Sequence, residues 1–180
     1  LAVSSILMKL LMIFSYFTDG FAYAGEALTG RYIGAKDASM VRQTVRWTFI
    51  WSMSIAVIFM GIYHFAGVPM LKMMTSDAVV IDAAIGYLPW LLLMPIAGCA
   101  AFTWDGIYIG ATASKEMRNS MLWATVFFAA VWAVGILILQ TVAPASESYG
   151  RVAMHILMAA YFSHLLARTV YLTVRWRKVK

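Results

Sequence analysis

Charge is scarce in this chain. Only 12% of its 180 residues are charged while 63% are hydrophobic, against about a quarter charged in a soluble domain. Too few polar side chains remain to cover a water-facing surface, which excludes a soluble globular domain. Cysteine is nearly absent: Cys99 stands alone, so no intrachain disulfide can form, and the residue reads as a small apolar helix position. The three histidines, His64, His155 and His164, fall at no metal-ligand spacing. The chain holds no phosphate loop, zinc motif, G-x-S-x-G or dinucleotide fingerprint. Enzyme chemistry, a cofactor and a bound metal are therefore not expected.

What the chain has is long apolar runs. Five can be marked: Lys9 to Thr29 with a lead-in from Leu1, Trp47 to Leu71, Val79 to about Ile109, Met121 to Val142, and Val152 to Val174. A membrane-crossing helix needs about 20 residues, so an all-α membrane protein with five spans is expected. The first run carries Asp19 and Glu26 and has no basic leader; it reads as a span rather than a signal peptide. The chain opens on Leu1, and reads as a piece of a longer protein.

The net charge of +6 follows a membrane pattern, not a nucleic-acid one. Arg31, Lys36, Arg42, Arg46, Lys115, Arg118, Arg175, Arg177, Lys178 and Lys180 all fall on one side of the expected topology. The positive-inside rule makes that side cytoplasmic, against anionic lipid. Trp47 and Trp123 suit an interfacial belt, Trp51 and Trp132 the interior.

Ionisable residues within spans are costly, and they mark function by default. Asp19 and Glu26 are seven residues apart, hence on one helix face and about 10 Å apart along the axis. Asp105 lies near the end of the third run, and Asp105-Gly106 repeats the acid–glycine step of Asp19-Gly20. Two acids inside one bilayer can share a proton. Pro89 and Pro95 predict a bend in the third run, since Pro95 leaves the carbonyl of Leu91 without a helical donor. Gly30–Gly34 and Gly106–Gly110 have the G-x-x-x-G spacing of close helix packing, with Gly20 a further candidate. His164 and Arg168, four residues apart, share a face of the last run.

Two stretches carry a resemblance. DGFAYAGEALTGRYIGAKD, Asp19 to Asp37, and DGIYIGATASKEMRNSM, Asp105 to Met121, resemble two helix ends and their following loops in multidrug exporters of the MATE family. The likeness is to its DNA-damage-inducible protein F branch. That branch carries D-G-F-A-Y-A-x-E-A, then G-x-x-x-G-A-x-D, and later D-G-x-x-I-G-A-T with E-M-R-N-S-M. The resemblance implies helices eight to twelve of a twelve-helix, two-lobe transporter, so that residues 1–180 form the carboxy-terminal lobe without its first helix. It implies export of small cationic or amphipathic compounds by alternating access, in exchange for protons or sodium, across a bacterial inner membrane. Membrane lipid and the amino-terminal lobe of the same protein would be the partners. Asp105 would fall at the coupling position of this lobe, with Asp19 and Glu26 matching the branch. A flippase for lipid-linked precursors, from the same broad superfamily, is the main alternative; a non-transporting scaffold is another.

Overall fold

The computed structural model describes residues 2–142 and 149–178. These form α1 (Ala2–Gly34), α2 (Ala38–Met74), α3 (Ala78–Ile85), α4 (Leu88–Gly110), α5 (Ser114–Val142) and α6 (Tyr149–Arg175), closed by a 3-10 turn at Trp176–Lys178. The expected connection at 143–148 and the terminal Lys180 lie outside the described residues.

The fold is all-α, but the expected architecture needs correcting. Among the described residues four helices, not five, are long and apolar enough to cross a membrane: α1, α2, α4 and α5. The last run does form a helix of 27 residues. It carries Arg151, His155, Ser163, His164, Arg168 and Thr169, however, and these polar side chains leave no sufficiently apolar stretch. The third run is also divided. Its helix stops at Ile85 and restarts at Leu88, so Pro89 sits in the first turn of α4, where a missing N–H costs nothing. Six helices, rather than twelve in two lobes, are what the described residues build.

Helix α4 is the central element. Of its most apolar stretch 61% is buried, against 11% for α5, which lies at the periphery. Helices α1, α4 and α6 run parallel, with α2 and α5 antiparallel to them. Tyr63 of α2 donates to the Leu10 carbonyl of α1 at 2.6 Å. Tyr108 of α4 donates to the Leu172 carbonyl of α6 at 2.6 Å, and Trp104 Nε1 to Thr173 Oγ1 at 2.8 Å. At the other end Trp90 Nε1 donates to His155 Nδ1 at 2.9 Å. Two large apolar clusters fill most of the bundle, and a smaller third, Ala97, Ala101 and Leu165, joins α4 to α6. One large cluster gathers Leu10, Phe14, Phe59, Tyr63 and Leu91; the other gathers Val41, Trp104, Ile107, Tyr108, Leu172 and Trp176.

The outer faces are apolar. Phe65, Leu122, Leu137 and Val170 are each at least 60% exposed, which a bilayer solvates and water does not. Trp51 and Trp132 also face outward, at 57% and 45% exposure, rather than into the interior. The protein is a multi-pass membrane protein in contact with lipid.

The segment Tyr-Ile-Gly-Ala occurs twice, at 32–35 and 108–111, and ends α1 and α4 in the same way. After each, a non-glycine residue takes a left-handed conformation: Lys36 at φ 56° and Thr112 at φ 53°. Asp37 N–H then reaches back to the Tyr32 carbonyl and Ala113 N–H to that of Tyr108, both at 3.0 Å, satisfying carbonyls that the helix ends leave open. Asp37 next caps α2, accepting from Met40 N and Ser39 N at 3.1 Å and from Ser39 Oγ at 2.8 Å.

Candidate functional site

Helices α1 and α4 meet along a seam of backbone against glycine. A Cβ at Gly106 would overlap the Ala22 carbonyl, and one at Gly110 the Glu26 carbonyl. Gly30 lies beside the Gly110 oxygen, where its Cβ would stand at 3.2 Å. Gly20 and Gly34 face open space. The seam follows a four-residue step, Ala22, Glu26 and Gly30 against Gly106 and Gly110, because residues so spaced share a helix face. Gly34 lies beyond it, and Gly20 points elsewhere.

This close approach brings the three candidate acids together. Asp19 and Glu26 of α1 and Asp105 of α4 line one cleft of about 180 Å³, with Ala22, Tyr23, Phe102, Gly106 and Ile109. All three acids are half-buried. Ser15, one turn back on α1, donates a hydrogen bond to Asp19. Pro95 lies within α4, buried, and Pro89 lies at its start; neither borders the cleft.

Sequence reasoning missed the partner of Asp105. Arg168 of α6 donates from Nη2 to Asp105 Oδ1 at 2.5 Å, with side chains only 8% and 19% exposed. Its Nε makes no hydrogen bond among the described residues, so the pair meets at one point rather than through the two-pronged geometry open to a guanidinium. His164, one turn before Arg168 on α6, stacks on Tyr161 with ring planes 3° apart. A signal for Arg168 did exist: an arginine inside an apolar helix needs a carboxylate. Its partner lies 63 residues away, which local spacing cannot reveal.

Arg168 neutralises one of three carboxylates. The cleft thus holds more acid than base, is walled by Phe102, Tyr23 and Ile109, and lies among helices that face lipid. Such an arrangement can hold a cation with an apolar body. It defines a class: an integral membrane helix bundle with a charged internal cleft. The MatE family profile matches residues 1–134, and the chain belongs to that family. It is similar to DNA damage-inducible protein F of Escherichia coli (strain K12), 39% identical over 129 residues. Those residues are 72% of this chain and 28% of that protein, so the chain spans less than a third of the length of this curated relative. No solved structure matches the chain significantly.

Proposed function

We propose that the chain acts, with a further helical lobe of the same protein, as part of a secondary antiporter. It exports cationic or amphipathic compounds from the bacterial cytoplasm across the inner membrane, in exchange for protons or sodium. One observation carries this reading: Asp19, Glu26 and Asp105 share a cleft, and among the described residues only Asp105 of the three is paired with an arginine. Embedded acid of this kind is costly to keep unless it is used. A coupling cation and a cationic substrate that compete for the same carboxylates exchange free energy by linkage, and that competition transmits the gradient. MatE membership and the similarity to DNA damage-inducible protein F support the assignment. A cleft for a pyrophosphate-bearing lipid would need the opposite balance of charge, which disfavours the flippase alternative.

Replacing Asp105 by Asn in the full-length protein tests the reading, because shape is kept and the carboxylate is lost. The expected result is a protein that reaches the membrane at wild-type levels yet loses most gradient-driven uptake of a fluorescent cation into inside-out vesicles. Near wild-type uptake under both proton and sodium gradients would sink it.

A further inference from the structure

We infer that Arg168 is a tethered counter-cation, which occupies Asp105 when the cleft is empty and is displaced when a mobile cation binds there. The inference rests on the cation-binding reading of the cleft and adds to it a residue that sets affinity and release.

Asp105 borders the cleft from α4, while Arg168 reaches Asp105 from α6, so one carboxylate is shared between the cleft and the helix behind it. An ionised carboxylate at this depth needs a counter-charge, and in the empty cleft Arg168 supplies it. A cation entering beside Asp19 and Glu26 supplies it instead, and the guanidinium then becomes redundant. The contact is built for exchange, since a single Nη2–Oδ1 bond joins the pair and Nε is left over. Helix α6 itself has little freedom here. Tyr108 and Trp104 of α4 bind Leu172 and Thr173, one turn beyond Arg168, so release is a side-chain rotation rather than a helix displacement. The released head group is not stranded. Among the described residues His164 Nδ1, one turn back on α6, is buried without a hydrogen-bond partner and can accept from it.

The test is ethidium binding to the full-length protein in lipid nanodiscs, followed by fluorescence anisotropy, paired with efflux rates. Arg168→Gln should tighten ethidium binding at least about fivefold, the lower end of typical coupling between linked sites, and should slow turnover because the cation leaves less readily. Arg168→Lys keeps the tethered charge and should return affinity towards wild type. The D105N/R168Q double variant should bind as D105N alone does, since the arginine acts through that carboxylate. Unchanged or weaker binding in a well-folded R168Q protein overturns the inference and leaves Arg168 a structural brace. Should R168Q fail to fold, D105N and D105N/R168Q decide. Equal affinities support the inference; a tighter double variant means general repulsion and overturns it. The underlying cleft reading fails separately, if D105N neither weakens ethidium binding nor slows efflux.

Discussion

Gly106→Ala is the most informative single-methyl change in this protein. The added Cβ meets the carbonyl oxygen, carbonyl carbon and Cα of Ala22. These are backbone atoms of a helix and cannot rotate aside, so α1 and α4 must part. Overpacking of this kind costs about 1–3 kcal/mol, and the cost falls at the upper end here because the obstacle is rigid. Gly20→Ala is the control. It adds the same methyl in the interior of α1 with nothing within 4 Å, and Ala is favoured over Gly in a helix by roughly 0.5–1 kcal/mol. The two variants should therefore differ by about 3 kcal/mol. At roughly 2–4 °C per kcal/mol for a chain of this size, the gap in thermal midpoint is about 6–12 °C. Fluorescence-detected size exclusion after a heating series measures it in detergent. Equal midpoints for G106A and G20A would refute the glycine seam as the contact holding the acids together.

Other outcomes follow from the same geometry. Thr112→Gly should stabilise the protein by about 1 kcal/mol, because a β-branched residue held at φ 53° is strained where glycine is not; an unchanged thermal midpoint would count against the twin helix endings. Hydrogen bonds from the Met40 backbone, then the Ser39 side chain, hold the Asp37 carboxyl below its ordinary value of 3.8. Its folded value being the lower one, the stabilisation is complete above 3.8 and lost as pH falls through the depressed value; D37N, still able to cap, should flatten that acid limb of the stability curve. Cysteines placed at Lys36 and Lys115 in a Cys99→Ala background should react only with reagent on the cytoplasmic side, and one at Thr75 only from outside; labelling of Lys36 from outside would reverse the orientation.

Long apolar runs announced helices plainly, because lipid demands both length and apolarity. Composition did not announce where those helices stop. Gly86 and Tyr87 break the third run without any polar warning, and α6 forms although its polar side chains deny it the profile of a span. Family motifs marked Asp19, Glu26 and Asp105, and the structure places all three around one cleft. The glycine spacing was legible only in part: Gly106, Gly110 and Gly30 enter the seam, while Gly34 and Gly20 do not, since spacing fixes a face but not what lies opposite it. Arg168 stayed hidden for a similar reason. A long-range pair is created by packing, and nothing near Arg168 in the chain points to Asp105. The repeated Tyr-Ile-Gly-Ala could have been noticed, but only the shared backbone at Lys36 and Thr112 gives the repeat a meaning.

The seam between α1 and α4 works like a key in a lock with one setting. Ala22 lies against Gly106 and Glu26 against Gly110, backbone to glycine, and at the same offset the Phe14 ring makes ordinary van der Waals contact at Gly98. Sliding α4 by one turn, about 6 Å for four residues, would set Phe102 against the Ala22 carbonyl, which Gly106 now accommodates. A one-turn slip of one helix along the other is therefore costly. The width of the slot between them is thus set by backbone against glycine rather than by side chains, while the charge behind it comes from a third helix, α6, through Arg168.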